Sequence, residues 1–222
     1  MSGKYIVAGG FGVLGRAVRE ALEAQGHKVA VIDLAPVPVG HQGPAQGGVD
    51  LTDETRVASA FAALVQQLGG LDGVVNVAGG FLWETVAQGS LDSWDRMYGM
   101  NLRTALISSR AALAHLVKGG AIVNVGAAAA TNVATGMAPY AASKAGVMAL
   151  TESLAEELRG AGIRVNAVLP TIIDTPANRA DMPDADTSAW VQPSAAAKVI
   201  AFLLSGDAAC VTGVGVKLSV GG

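Results

Sequence analysis

The sequence predicts an α/β fold, a single doubly wound parallel sheet with helices on both faces. Short β-branched runs alternate with longer segments whose apolar residues recur at three- and four-residue spacing. The runs IVAGG and AIVNVG are apolar at successive positions, as in strands that are covered on both sides. The chain has 222 residues, 51% of them apolar, which is enough for one sizeable core. We therefore expect one domain over residues 1–222.

The β-branched runs define six predicted strands, and helical periodicity defines five helices between them. The strands are 5–8, 28–32, 74–77, 121–125, 164–169 and 215–220. The helices are 14–25, 52–68, 101–118, 139–159 and 194–204. The stretch 35–48 is rich in proline and glycine like a linker, but the strand–helix pattern resumes directly after it. We interpret this stretch as a long surface loop.

Charge and composition exclude several classes of partner. The net charge is −3, the sequence pI is about 5.6, and Lys and Arg do not cluster, so we expect no nucleic-acid partner. The sequence has no apolar run of about 20 residues and no secretory signal pattern at its start, so we expect no membrane partner and a cytoplasmic location. Cys210 is the single cysteine, which excludes an internal disulfide and cysteine-pair metal sites. We expect no metal.

A glycine-rich turn separates the first strand from the first helix. Its residues are Gly9, Gly10, Phe11, Gly12, Val13, Leu14 and Gly15. Glycines allow positive φ angles and a close approach of the backbone to a pyrophosphate, whose charge is favoured by the N–H groups at the start of a helix. A glycine-rich turn with no ligand is the alternative interpretation. Position in the chain favours a dinucleotide site and therefore a Rossmann-type fold.

Three later segments fit the same dinucleotide crevice. Asp33 ends the second strand, where a carboxylate accepts hydrogen bonds from the adenosine ribose and repels a 2′-phosphate. It predicts NAD as the cofactor, with NADH preferred over NADPH, although a solvated strand end would look the same. The other two segments follow the third and fourth strands: Asp50 with Leu51, and Asn76-Val77-Ala78-Gly79. Asp50 could equally cap the helix that begins near Asp53.

Tyr140 and Lys144 are the candidate chemical centre. They lie four residues apart, so on a helix their side chains share one face. A free tyrosine titrates at about 10, and a nearby ammonium favours its phenolate. We therefore expect Lys144 to assist proton transfer through Tyr140 and to contact the nicotinamide ribose. The alternative is an aromatic packing residue beside a solvated lysine, but the preceding ordered motifs favour chemistry.

With these motifs in this order, the chain resembles the short-chain dehydrogenase/reductase family along nearly its whole length. The resemblance implies that Tyr140 donates or accepts a proton, that Lys144 supports it, and that Asn101 holds a water of the proton relay. A helix N-cap is the alternative for Asn101. The resemblance also implies cofactor contacts from Pro170, Ile173 and Thr175.

The family resemblance further implies a small-molecule substrate bound beneath a mobile loop at about 171–192. Trp83 and Trp190 are either pocket walls or packing residues. Helices 101–118 and 139–159 are rich in small apolar residues on more than one face. We expect a homodimer or homotetramer through these helices.

Two departures from the family pattern point to a narrower resemblance. Ala127 stands thirteen residues before Tyr140, where the family usually has serine, and the next hydroxyl is at Thr131. Val13 stands where most members have glycine. These features and the segment 169–190 resemble quinonoid dihydropteridine reductase, which implies NADH-dependent reduction of a quinonoid dihydropterin with Tyr140 as proton donor.

The missing serine has a physical interpretation. Removing a donor to a developing oxyanion costs on the order of 3 kcal/mol, but a pterin spreads charge over conjugated atoms, so one donor could suffice. A second hypothesis is an oxidoreductase for another small carbonyl, quinone or alcohol, based on Asn101, Tyr140 and Lys144. A third is a non-catalytic NAD-binding sensor, for which the missing serine argues and the intact tyrosine and lysine do not.

Overall fold

A computed structural model describes residues 2–220 and contains one seven-stranded sheet in the order β3-β2-β1-β4-β5-β6-β7. All neighbouring strands are parallel. The strands are β1 Lys4–Ala8, β2 Lys28–Ile32, β3 Ala45–Gln46, β4 Leu71–Asn76, β5 Leu116–Val125, β6 Arg164–Pro170 and β7 Gly215–Leu218. The predicted Rossmann-type doubly wound sheet is therefore confirmed.

Seven α-helices connect the strands within the described residues. They are α1 Val13–Ala24, α2 Glu54–Leu68, α3 Leu91–Met97, α4 Thr104–Leu113, α5 Ala138–Glu157, α6 Pro176–Asp181 and α7 Pro193–Leu204. A π-helical segment, Tyr98–Arg103, joins α3 to α4. Single-turn π segments inside helices are found frequently at functional sites.

Helices cover both faces of the sheet because successive strand residues point to opposite sides. In β1, Tyr5 and Val7 belong to one apolar core with α1 and α7. Ile6 and Ala8 belong to a second core with α2, α4 and α5. Strands that are apolar at every position therefore bury both sets of side chains, as the sequence pattern predicts.

Some predicted boundaries are wrong. The stretch 35–48 is not entirely a loop, because β3 pairs with Val31 and Ile32 at the edge of the sheet. The helix predicted over 101–118 ends at Leu113. Leu116 is already the first residue of β5, where it pairs with Leu71 of β4. The apolar run continues the helical spacing past the helix end, so periodicity alone does not separate the two elements.

The order of strands reverses between β1 and β4, which lie side by side in the sheet. After β1 the chain continues to β2, toward one edge of the sheet. After β4 it continues to β5, toward the opposite edge. Open parallel sheets bind ligands in the crevice at such a switch point, outside the carboxyl ends of the strands. The fold therefore directs the search for a site to the segments that follow Ala8 and Asn76.

Among residues 2–220, no helix combines the length and apolar content that a membrane crossing needs. The same residues contain no group of three or more His, Cys, Asp or Glu side chains placed to hold a metal ion. Cys210 is exposed and has a free thiol.

Candidate active site

A cavity of about 1000 Å³ lies at the switch point of the sheet. We call it the cofactor cavity. Its volume is at the upper end of the range for small-molecule and cofactor sites. Many residues predicted to bind cofactor line it: Gly9, Phe11, Gly12, Val13, Leu14, Asp33, Asp50, Leu51, Ala78, Gly79 and Thr175.

The glycines of the turn have different roles. Gly9 has φ of 85°, and a Cβ there would lie 2.5 Å from the Ala78 nitrogen. A Cβ on Gly15 would lie 2.2 Å from the Gly9 oxygen, so this glycine lets α1 approach the turn. A Cβ on Gly10 would meet Val31 at 2.6 Å. Gly10 and Gly15 are therefore needed for packing and do not line the cavity.

The N-terminus of α1 is open toward the cofactor cavity. Gly12 is its N-cap and provides no side chain to bond the first N–H groups. A Cβ on Gly12 would meet only the Gly9 oxygen, at 3.6 Å. Free N–H groups and the helix dipole favour an anion at such an end. The cavity and this open helix end fit the pyrophosphate of a dinucleotide.

Asp33 is held in place by backbone groups at the cavity wall. Phe11 N donates to Oδ2 at 2.8 Å, and Ala35 N donates to Oδ1 at 2.9 Å. A carboxylate has about four acceptor sites, so two hydrogen bonds leave capacity for ribose hydroxyls. Arg96 is the one Lys or Arg among the described residues that line this cavity, and it comes from α3. Arg16, which follows the glycine turn in α1, donates from Nη1 to Phe11 O at 2.9 Å.

Asp50 is not the cap of α2. It accepts from Thr52 N at 2.8 Å and from Thr52 Oγ1 at 2.7 Å, and these hydrogen bonds lower the pKa of its carboxyl. Asp53 is the cap, since it accepts from Arg56 N at 3.1 Å. The capping alternative for Asp50 is therefore wrong, and Asp50 and Leu51 lie in the cavity wall.

Five other predicted cofactor residues lie outside the cofactor cavity lining: Asn76, Tyr140, Lys144, Pro170 and Ile173. Asn76 is buried, and its Nδ2 donates to Ser109 Oγ at 2.9 Å and to Asn124 Oδ1 at 2.8 Å. This side chain joins β4, α4 and β5 beneath the site. Ile173 forms a bridge with Val191, and Pro170 lines a second cavity, described below.

Tyr140 lies near the start of α5 and lines that second cavity. Its ring makes an edge contact with Phe81, with centroids 5.0 Å apart. Burial raises the pKa of Tyr140 to about 12. Desolvation of the phenol thus outweighs any effect of the Lys144 ammonium on the pKa of Tyr140 in this structure. The phenol therefore holds its proton at neutral pH and can act as a donor.

Lys144 is almost fully buried, with 5% of its surface exposed. Its Nζ donates to Val125 O at 2.8 Å, and burial lowers its pKa to about 8. A Cβ on Gly79 would lie 3.2 Å from Nζ, so the ammonium sits beside the segment that follows β4. At pH 7 the amine is mostly protonated, and it places a positive charge between α5 and the cofactor cavity.

Asn101 is part of the π-helical segment and is buried, so the N-cap alternative is wrong. Its Oδ1 accepts from Gly80 N at 2.9 Å, and its Nδ2 donates to Gly80 O at 3.1 Å and to Ser143 Oγ at 3.0 Å. Ser143 Oγ in turn donates to Tyr140 O at 2.7 Å. The amide's donors are thus engaged by protein groups, and Asn101 positions the backbone on both sides of the site.

Ser143 is the residue that the sequence interpretation missed. It lies on α5 between Tyr140 and Lys144. The structure buries it against Asn101 and makes it the link between the π-helical segment and α5. A small hydroxyl one residue before Lys144 was the available signal, because Ser in a helix often bonds a preceding carbonyl.

The second cavity has a volume of about 860 Å³ and lies beside Tyr140. We call it the substrate cavity. Ala127 is in its wall and is 3% exposed, so a methyl group occupies the position of the expected serine. Thr131 does not replace that hydroxyl, since its Oγ1 donates to Ala128 O at 2.9 Å. Tyr140 is accordingly the ionisable proton donor that lines this part of the cavity.

The two candidate tryptophans have different surroundings. Trp83 lines the substrate cavity, and its Nε1 donates to Thr135 O at 3.1 Å. Trp190 is 4% exposed and packs inside the protein. The segment 171–192 contains α6, which contributes Asn178 and Asp181 to the substrate cavity.

The family model described as Enoyl-(Acyl carrier protein) reductase matches residues 12–221. The 4-formylbenzenesulfonate dehydrogenase of Comamonas testosteroni is 34% identical over 94% of this chain and 93% of its own length. The family-model match includes the glycine turn from Gly12 onward and the pair Tyr140 and Lys144.

Solved structures give the same result. A blue fluorescent protein from a metagenomic library, in complex with NADPH, is 29% identical with a TM-score of 0.86, covering 97% of this chain and 96% of that one. The 3-ketoacyl-(acyl-carrier-protein) reductase of Brucella melitensis, complexed with NADH, is 25% identical with a TM-score of 0.84 and the same coverage. Relatives of this fold thus bind either nicotinamide dinucleotide. The chain belongs to the short-chain dehydrogenase/reductase family.

Proposed function

We propose that this oxidoreductase is NADH-dependent and reduces a small carbonyl compound, with residues 1–222 acting as one domain. The observation that carries the proposal is the placement of Tyr140, a protonated phenol in the wall of a small-molecule cavity. Lys144, on the next turn of the same helix, lies beside Gly79 of the cofactor cavity. The proposal therefore places a proton donor in the wall of the substrate cavity and a cation beside Gly79 of the cofactor cavity.

The cofactor cavity supplies partners for each part of a dinucleotide. The open N-terminus of α1 would hold the pyrophosphate, and Asp33 would accept from the adenosine ribose. Asp50 and Leu51 would flank the adenine, and Gly79, Lys144 and Thr175 would lie toward the nicotinamide end. When bound, NADH supplies the hydride for the reaction.

The protein's own residues account for the proton. In the proposed reduction the Tyr140 hydroxyl would give its proton to the carbonyl oxygen, as the carbonyl carbon gains the hydride that bound NADH would supply. The product is an alcohol. The Lys144 ammonium would stabilise the phenolate that this transfer leaves, which lowers the barrier to losing the proton.

The preference for NADH rests on Asp33. Its carboxylate is fixed by Phe11 N and Ala35 N at the cavity wall. A 2′-phosphate there would meet this negative charge, and Arg96 of α3 is the one arginine or lysine in the described cavity lining. The expected result is a higher kcat/KM with NADH than with NADPH.

A quinonoid dihydropterin is the second candidate substrate, favoured by the methyl group of Ala127 beside Tyr140. A substrate that spreads charge over several atoms needs fewer donors than a ketone. The 4-formylbenzenesulfonate dehydrogenase named above acts, by its name, on a formyl compound. We therefore place the small carbonyl first.

One assay tests these proposals together. The oxidation of NADH and NADPH is followed with a panel of aldehydes and ketones and with quinonoid dihydropterin, for the wild type and for Tyr140→Phe. Turnover that is faster on a carbonyl and lost in the variant supports the first proposal. Faster turnover on the pterin selects the second. Binding of NADH without turnover on any substrate favours the non-catalytic sensor.

We also propose a homodimer or homotetramer formed through α4 and α5. The part of the predicted helix from 114 to 118 does not contribute as a helix, because α4 ends at Leu113. Exposed small residues on α5, namely Ala142, Ala145 and Ala149, support a close approach of a second copy. Light scattering coupled to size-exclusion chromatography gives the mass. A monomer at micromolar concentration would contradict this proposal.

A further inference from the structure

The described lining of the substrate cavity is rich in apolar and aromatic side chains and contains one charged group, which is acidic. Asp181 is the one charged side chain among the described residues that line it. Phe81 and Trp83 lie at the same cavity and are 51% and 61% exposed. Met137 and Met182 add thioethers to its wall. A carboxylate, two aromatic rings and two thioethers thus surround the space beside Tyr140.

The nearby cations are engaged elsewhere. Arg179 lies two residues before Asp181 on α6, but its Nε and Nη2 donate to the two Asp174 oxygens at 2.6 and 2.8 Å. These contacts, with a hydrogen bond from Gln192, lower the pKa of Asp174 to about 2. The pair therefore stays ionised through the working pH range. Arg179 is not part of the described cavity lining.

Lys144 and Arg96 are the other two cations near the site in the described part of the chain, and neither belongs to the lining of the substrate cavity. Lys144 Nζ is buried against Val125 O, and Arg96 lines the cofactor cavity. An anionic group that entered the substrate cavity would lose water without gaining a cation from the described residues of its lining. Removing a charge from water without a partner is strongly unfavourable. A cationic group would meet Asp181 and the rings of Phe81 and Trp83, and aromatic rings attract cations within about 6 Å of their centroids.

We infer that the substrates of this enzyme carry an aromatic ring with a neutral or positively charged substituent, and that anionic analogues are rejected. This inference rests on the proposed function and adds the substrate class. It separates this chain from its relative in Comamonas testosteroni, whose name specifies a sulfonate. The aromatic part follows from Phe81 and Trp83, and the charge part follows from Asp181 and the engaged arginine.

Three aldehydes of nearly equal shape test the charge. They are benzaldehydes with a para trimethylammoniomethyl, neopentyl or sulfomethyl group, in which the methylene spacer keeps the electronic effect on the carbonyl small. We expect kcat/KM with saturating NADH to be highest for the cation. The anion should fall at least about tenfold below the neutral compound. An anion used as well as the neutral compound would overturn the inference.

Matched variants assign the effect to a residue. Asp181→Asn should lower the ratio of kcat/KM for cation over neutral compound several-fold. Asp184→Asn removes an exposed carboxylate from the same loop and should leave that ratio as in the wild type. Trp83→Leu should lower the cation ratio as well. A ratio that does not move in Asp181→Asn would refute the role of that carboxylate.

Binding separates this inference from the proposed function. The three corresponding benzyl alcohols are titrated by calorimetry into the enzyme with NADH, which requires no turnover. Affinity in the order cation, neutral, anion upholds the substrate class even if none of the aldehydes is reduced, in which case only the proposed reaction fails. Failure of all three alcohols to bind at millimolar concentration would overturn the substrate class.

Discussion

Replacing Lys144 with methionine should make the protein more stable at pH 7. Burial lowers the pKa of this lysine from 10.5 to about 8, which corresponds to about 3 kcal/mol against the charged form in the folded state. Methionine has a similar length and no charge. It leaves Val125 O without its donor, which takes back about 1 kcal/mol. The expected net gain in the free energy of unfolding is about 2 kcal/mol.

The pH dependence of this gain has a defined sign. Above pH 10.5 the amine is neutral in both the folded and unfolded states, so it contributes no charge-related term. As the pH falls toward 8, the unfolded chain takes up a proton before the folded protein does, and the wild type loses stability. Below pH 8 both states are protonated and the full loss of about 3 kcal/mol remains.

Chemical denaturation of the cofactor-free protein measures the effect. Wild type and Lys144→Met are compared at several pH values between 7 and 10.5, so that titrating groups common to both proteins cancel. Lys198→Met is the control, because Lys198 is exposed on α7 and should change stability little. The reasoning is refuted if Lys144→Met is less stable than wild type at pH 7, or if the difference does not shrink with rising pH.

Three further predictions concern activity. Tyr140→Phe should lower kcat at least about a hundredfold, by loss of the proton donor, while the Kd for NADH measured by fluorescence changes little. Ala127→Ser should raise kcat on simple ketones up to about a hundredfold, because it adds an oxyanion donor, measured as NADH oxidation. Asp33→Asn should raise the NADPH-to-NADH ratio of kcat/KM about tenfold, because it removes the charge facing a 2′-phosphate.

Each of these has a result that would contradict it. Undiminished turnover in the phenylalanine variant would remove Tyr140 from the chemistry. Slower ketone reduction in the serine variant, with NADH binding intact, would show that the methyl group of Ala127 is itself needed by the substrate. An unchanged cofactor ratio in the asparagine variant would assign cofactor choice to another residue.

The sequence predicted the sheet because its signals are strong and local. Strands that are apolar at successive positions and helices with regular spacing differ in period, so their order along the chain determines the fold. β3 has two residues, and the helices α3 and α6 have seven and six, or fewer than two helical turns, so these three elements carry too few repeats and were missed. The end of α4 was misplaced because Leu116 and Val117 continue its spacing.

The site was predictable in outline only. The glycine turn, Asp33 and Tyr140 could be identified because each has a characteristic residue type at a characteristic place. The direction of Asn76 could not, since a shift of one residue in a strand turns the side chain to the other face. The raised pKa of Tyr140 depends on how deeply the phenol is buried. Burial results from tertiary packing and cannot be read from the residues next to Tyr140 in the sequence.

Asn101 makes two hydrogen bonds to the backbone of Gly80, which hold the π-helical segment against the chain beside the cofactor cavity. Gly80 follows the floor of the cofactor cavity, and Ser143 ties the same amide to the helix that carries Tyr140. The Asn101 side chain therefore links the segment that contains Gly80 to α5. We expect these two segments to move together, which would keep the proposed hydride and proton donors at a fixed separation.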